Sequence, residues 1–123
     1  MNRTVTISTV DYGEVTIPEP PWCAGEHPSD GYRIDISHYG PDVPLPIETS
    51  RGRVTAMTTA LEQRPFTERH PGRGVFINVE IDGDHYPHDP DELHRLAAAL
   101  DHHAQRLRVL GDELATLVQE HQQ

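Results

Sequence analysis

One cysteine and two histidines in the first third of the sequence offer the donor atoms of a metal site. Cys23 and His27 are separated by three residues within a segment rich in proline and glycine, and His38 follows in a stretch of alternating polar and apolar residues. Zinc prefers a thiolate and neutral imidazoles in a tetrahedral arrangement. The sequence therefore predicts a zinc site formed by Cys23, His27 and His38.

The sequence leaves the fourth position of this site open. A water molecule would give the open zinc of a metal-dependent hydrolase, whereas a fourth side chain would give a closed site. Strand alternation places Asp35 on the face opposite His38, which disfavours Asp35 as a ligand of the same ion. The other candidate side chains are His70, His85 and His88.

Two alternatives need no metal. In the first, Cys23 is buried beside Trp22, His27 is solvated and His38 is hydrogen-bonded at the edge of a sheet. In the second, Cys23 is a nucleophile with His27 or His38 as its base. The chain has no G-x-S-x-G, P-loop or H-E-x-x-H motif, so its motifs favour a non-enzymatic protein over an enzyme.

The aliphatic residues predict the elements that position this site. All seven isoleucines lie at or before position 81, and seven of the nine leucines lie at or after position 93. Isoleucine suits strands and leucine suits helices, so we expect an α+β fold with a small antiparallel sheet of four to six strands packed by one long C-terminal helix. The prediction is a single domain, residues 1–123, with residues 3–82 mainly β, a proline-rich loop at 18–31 and the helix at 89–120.

Alternation and turn residues locate the individual strands. Residues 3–18 alternate around Asp11-Tyr12-Gly13 and predict a hairpin. The residues Tyr32–His38 predict a strand with Ile34, Ile36 and His38 on one face. We further expect a loop at 39–46, a connection at 65–74 and a strand at 75–81. The stretch at 54–63 has apolar residues at helical spacing, but its threonines favour a strand, which is the prediction for this stretch.

Helix signals begin at Asp89, a favourable N-cap that is followed by Pro90 at the first helical position. Apolar residues then recur at spacings of three and four, as in a heptad repeat. We call this stripe the leucine seam, and it predicts binding to a protein partner or to a second copy of the chain. Its leucines are Leu93, Leu96, Leu100, Leu107, Leu110, Leu114 and Leu117, with His103 between the third and the fourth.

Charge and cysteine content limit the partners and the compartment. The formal net charge is −10, and all ten basic residues are arginine. Such a chain repels phosphate backbones and anionic membranes, so we expect no nucleic-acid or membrane partner. A single cysteine forms no internal disulfide and suits a reducing cytoplasm, where we expect the protein to reside.

Three segments resemble a known family. They are Val-Thr-Ile-Pro-Glu-Pro-Pro-Trp-Cys-Ala-Gly-Glu-His at 15–27, Tyr-Arg-Ile-Asp-Ile-Ser-His-Tyr-Gly-Pro at 32–41, and the stretch from Asp-Pro-Asp-Glu-Leu to Leu-Ala-Ala-Ala-Leu at 89–100. The chain resembles DUF6907, a family of small actinobacterial proteins frequent in Streptomyces-type genomes. The resemblance implies no known activity, but it strengthens the metal prediction through the matched residues Trp22, Cys23, His27, Asp35, His38 and Gly40.

Three functional hypotheses follow from the sequence. The first is a small non-enzymatic module in which zinc ties the proline-rich loop to the sheet and the leucine seam contacts a protein, including a homodimer partner. The second is a metal-dependent hydrolase. The third is a metal-free adaptor that acts through its helix.

Overall fold

The computed structural model describes residues 3–122 and confirms the α+β class. Strands occupy the chain up to His88, and one helix, α1, covers Pro90–His121. The chain divides between Asp89 and Pro90 into two compact units. We call the described residues before this division the β unit.

The predicted hairpin forms a two-stranded antiparallel sheet. Strand β1 covers Arg3–Thr9 and strand β2 covers Gly13–Glu19. Alternate residues of both strands are buried, because one face of this sheet lies against the small core of Ile7, Ile17 and Ile36.

The remaining five strands form a second antiparallel sheet. They are β3 at His38–Tyr39, β4 at Val43–Thr49, β5 at Gly52–Gln63, β6 at Phe76–Ile81 and β7 at Asp84–His88. Their order is β3-β5-β6-β7, and β4 also pairs with β5. The predicted strands at 54–63 and 75–81 are confirmed as β5 and β6. Among the described residues of this sheet, the buried apolar side chains are Phe76 and Val79.

The predicted strand over Tyr32–His38 is wrong for most of its length. Arg33–Asp35 is a short 3-10 helix, and only His38 enters a strand. The backbone N–H of Arg33 donates to Asp11, and its guanidinium stacks 3.9 Å from the centre of the Tyr12 ring. These contacts hold the segment in a turn, which alternation alone does not reveal. Ile36 and His38 are buried, whereas Ile34 is exposed.

Two further strands were not predicted. The expected loop at 39–46 contributes its second half to β4, which includes Pro44 and Pro46. Proline cannot donate to a ladder, but β4 tolerates it because its residues are exposed and its register shifts between Leu45 and Pro46. The residues around His85 and His88 form β7, which closes a hairpin with β6.

Helix α1 agrees with its predicted bounds to within one residue and runs continuously through Gly111. None of its 32 residues, all within the described part of the chain, is buried. Among the described residues, no helix has the length and apolarity needed to cross a membrane.

Candidate metal centre

Glu19, the last residue of β2, points its side chain into the β unit. Val15 and Ile17 precede it at intervals of two and face the core, so strand alternation turns Glu19 to the same side. The carboxylate is 5% exposed. A buried carboxylate needs hydrogen-bond donors or a cation nearby.

The loop after β2 is fixed to β3 by its backbone. The Cys23 N–H donates to the Pro20 carbonyl at 3.0 Å, and the Ala24 N–H donates to the Tyr39 carbonyl at 2.7 Å. This second bond places Cys23 beside His38, the neighbour of Tyr39 in β3. Cys23 and His38 are both buried.

Close backbone packing at Gly40 completes this arrangement. A Cβ atom at Gly40 would lie 3.3 Å from the Cβ of Leu61 and 3.4 Å from the carbonyl oxygen of Trp22. The strand β5 and the loop that carries Cys23 therefore approach each other at a position where only glycine fits without displacement.

We predict that Gly40→Ala destabilises the protein by about 1 kcal/mol, because the added methyl group must push apart two neighbours. This cost corresponds to a fall of about 4–8 °C in the melting temperature of a domain of this size, measured by circular dichroism. Gly74→Ala is the control, since no atom lies within 4 Å of its Cβ position. Equal shifts in the two variants would contradict the packing argument.

Four potential ligand atoms converge in this region. One donor atom each from Glu19, Cys23, His27 and His38 lies within 4.8 Å of all the others. The Cys23 sulfur is 3.7 Å from Nε2 of His27, which donates to the Glu19 carboxylate at 3.0 Å. Nδ1 of His38 donates to the same carboxylate at 2.8 Å.

Aromatic contacts orient the two imidazoles. The rings of His27 and His38 are nearly perpendicular, with centroids 5.3 Å apart. Trp22 meets His38 in a second edge-to-face contact at 6.4 Å. The loop thus shields the donor group on the side of Trp22, and the His38 ring is held between two aromatic neighbours.

Burial and hydrogen bonding shift three pKa values in this group. Burial raises the pKa of the Cys23 thiol, and the Glu19 carboxylate acts in the same direction. Burial also lowers the pKa of the His38 imidazole, more than the Glu19 carboxylate raises it. Burial alone would raise the pKa of Glu19, but hydrogen bonds from Cys23 and from the two imidazoles lower it overall. Near neutral pH the group thus holds a thiol, a neutral His38 and a carboxylate.

This geometry does not suit cysteine catalysis. A nucleophilic cysteine needs a lowered thiol pKa and a base whose second ring nitrogen is oriented by an acceptor. Here the pKa of Cys23 is raised, and Glu19 faces Nε2 of His27, the same nitrogen that faces the sulfur. Nδ1 of His27 is buried without a hydrogen-bond partner among the described residues.

The donor set does suit zinc. Bonds of about 2.0–2.3 Å in a tetrahedral site place the ligand atoms about 3.3–3.8 Å apart. The separations in the donor group lie around this range, so small side-chain movements would admit an ion. One sulfur, two imidazole nitrogens and one carboxylate favour zinc over the hard cations Mg²⁺ and Ca²⁺, which prefer oxygen ligands.

The structure brings the three predicted residues Cys23, His27 and His38 into one group and adds Glu19, which the sequence analysis missed. Within the described residues, the group does not include the other candidates for the fourth position. Those candidates were Asp35, His70, His85 and His88. The alternation of Val15 and Ile17 continues to Glu19, but the sequence analysis placed Glu19 in the proline-rich loop predicted at 18–31.

Comparison with known proteins identifies a family for this chain but no function. A family model described as a domain of unknown function, DUF6907, matches residues 4–116. No curated protein and no solved structure matches the chain.

Proposed function

We propose that the β unit of this chain, which belongs to the DUF6907 family of domains of unknown function, is a small module built around one zinc ion. Glu19, Cys23, His27 and His38 would hold the ion. The observation that carries the proposal is the convergence of these four donor atoms within 4.8 Å of one another.

The ion would connect three segments of the β unit. Glu19 belongs to the two-stranded sheet, His38 belongs to the five-stranded sheet, and Cys23 and His27 belong to the loop between them. Few apolar side chains are buried in the described residues, so hydrophobic burial contributes little to holding these segments together. Metal binding adds directly to the folding free energy of such a chain.

A structural role agrees with the donor count. Catalytic zinc sites keep one position for water, whereas structural sites use four protein ligands. The Glu19 carboxylate would fill the position that a hydrolase leaves to water, and its side chain is nearly inaccessible. The proposed module is therefore non-enzymatic. Its single cysteine, which forms no internal disulfide, favours the cytoplasm as its location.

Elemental analysis of the purified protein tests the metal proposal directly. We expect about one zinc atom per chain, and no zinc in a variant that lacks the thiolate, Cys23→Ser. Metal-free protein that also fails to bind added zinc would exclude the zinc module and would favour the metal-free adaptor.

The affinity for zinc is expected to rise with pH. The raised pKa of Cys23 keeps the thiol protonated in the metal-free protein, and zinc must displace this proton. The pKa values of His38 and Glu19 are lowered, so both groups are already deprotonated near neutral pH and release no proton when zinc binds. One released proton increases the affinity about tenfold per pH unit between about pH 7 and 8.5.

Competition with a chelator of known affinity, repeated across this pH range, measures the dependence. The variant Cys23→Ser serves as the control, because without the thiolate it should bind no zinc at any pH in this range. A wild-type affinity that stays constant with pH would show that the thiolate is not a ligand.

The second compact unit, which begins at Pro90 and which we call the helical unit, supplies the second part of the proposed function. The leucine seam of α1 would bind a protein, while the zinc site keeps the β unit folded. Support comes from the exposure of its side chains, since Leu107, Leu114 and Leu117 are 56%, 61% and 62% exposed. Exposed apolar stripes of this kind mark protein interaction sites more often than free surface.

A further inference from the structure

The leucine seam has the heptad arrangement of a two-helix interface. Positions a and d of the repeat face the partner helix, and positions e and g flank them. Position a is leucine throughout, and position d is leucine except for His103. The a positions are 93, 100, 107 and 114, and the d positions are 96, 103, 110 and 117.

The flanking positions carry charge on one side only. Position g contains Ala99, Arg106, Glu113 and Glu120, whereas position e contains only small or apolar residues. The e residues are Ala97, Ala104, Gly111 and Val118. In a parallel dimer each g residue faces an e residue of the partner, so these charges would meet no opposite charge.

We propose that the leucine seam binds a second copy of this chain with the two helices antiparallel. In that orientation g residues face g residues. Placing Leu107 against Leu110 of the partner subunit brings Arg106 against Glu113 of the partner subunit, and the two-fold axis repeats this ion pair. The same register places Ala104 against Gly111 of the partner subunit, where small side chains let the helices approach closely.

Neither Arg106 nor Glu113 has an oppositely charged neighbour within its own helix. Residues three and four positions apart are neighbours on a helix surface. Arg106 has no acidic residue at these spacings, and Glu113 has no basic residue at them. The pairing with a second copy accounts for both charges and for the exposed leucines between them.

This inference deepens the proposed interaction role and does not depend on the zinc site. The seam residues from Leu100 to Leu117 lie wholly in the helical unit, and the four metal donors lie in the β unit. Zinc content can therefore be measured on the same samples as the oligomeric state, and one proposal can fail without the other.

Charge reversal in the full-length protein tests the register. Arg106→Glu places two pairs of like charges in the dimer, and we expect the dissociation constant to rise about 30-fold. Glu113→Arg should have a similar effect. The double variant Arg106→Glu/Glu113→Arg recreates the pairs with reversed sign and should return to within about threefold of the wild type. Sedimentation equilibrium measures the constants.

Asp101→Arg is the matched control for Glu113→Arg, because it changes the net charge equally at position b, away from the seam, and has no charged residue three or four positions away. Helix content from circular dichroism confirms that each variant remains folded. His103→Leu replaces the polar side chain of the seam and should tighten the dimer at least tenfold.

Two results would overturn the inference. A wild-type protein that stays monomeric at high concentration, with zinc bound, would exclude the second copy as the occupant of the seam. A dimer whose dissociation constant is the same for wild type and Arg106→Glu would exclude the antiparallel register.

Discussion

Removal of zinc is expected to lower the melting temperature of the β unit by about 15–30 °C. A ligand at a thousandfold excess over its dissociation constant stabilises the folded state by about 4 kcal/mol. For a unit of fewer than 100 residues, each kcal/mol changes the melting temperature by about 4–8 °C. The effect is large because the buried apolar side chains of the described residues are few, and three of them belong to one small cluster.

Thermal denaturation with and without a tight chelator measures this shift, and added zinc should reverse it. Magnesium should not, because the donor group contains sulfur and nitrogen ligands. Cys23→Ser should melt at the same temperature in both conditions, which separates zinc loss from a general effect of the chelator. Identical wild-type melting curves with and without chelator would contradict a structural zinc ion.

Glu19→Gln is expected to weaken zinc binding by more than about 100-fold. The substitution keeps the size and shape of the side chain but removes the negative charge, and a neutral amide is a poor zinc ligand. Even residues that only orient a zinc ligand contribute about 10–100-fold to affinity, so a direct ligand should contribute more. This variant tests the one donor that the sequence analysis did not identify.

The control for this substitution is Glu14→Gln, on the same strand but exposed to solvent. It should bind zinc as tightly as the wild type. Cobalt serves as a spectroscopic probe, because its visible absorption reports the number and type of its ligands. An unchanged affinity and an unchanged cobalt spectrum in Glu19→Gln would remove the carboxylate from the site and reopen the fourth position to water.

Regular elements were the predictable part of this fold. Alternation identified β6, the threonine content favoured a strand at β5, and the change from isoleucine to leucine separated the strands from α1. These signals are local and periodic, so they are visible in a single sequence. The prediction that Cys23, His27 and His38 lie near one another had a different basis. It used the three-residue separation of Cys23 and His27 in one loop, and it placed His38 on the inner face of a strand at Tyr32–His38 that is only partly formed.

The missed features depend on tertiary contacts. The strand predicted at Tyr32–His38 is interrupted because Arg33 stacks on Tyr12 and bonds to Asp11, residues more than twenty positions earlier. Strand β4 contains Pro44 and Pro46, which local rules assign to a loop. The division into two sheets could not be predicted either, because alternation along one strand does not indicate which strands pair.

Glu19 illustrates a different limit. Its position on the inward face followed from alternation, but its role depends on which side chains meet it there. His27 and His38 reach the same carboxylate from separate segments, and this convergence is a property of the folded chain. A carboxylate that continues the inward, apolar face of a strand therefore indicates a buried site with hydrogen-bond donors or a cation nearby.

All four donors fall between residues 19 and 38, which has a consequence during synthesis. Closing a flexible segment of this length costs about 3 kcal/mol of chain entropy, which is small compared with the free energy of zinc binding to zinc-finger peptides. The helix begins at Pro90, so at about 5–20 residues per second the ribosome reaches it about 3–10 s after His38. The nascent chain therefore carries all four donors of the proposed zinc site several seconds before the proposed interaction surface on α1 has been synthesised.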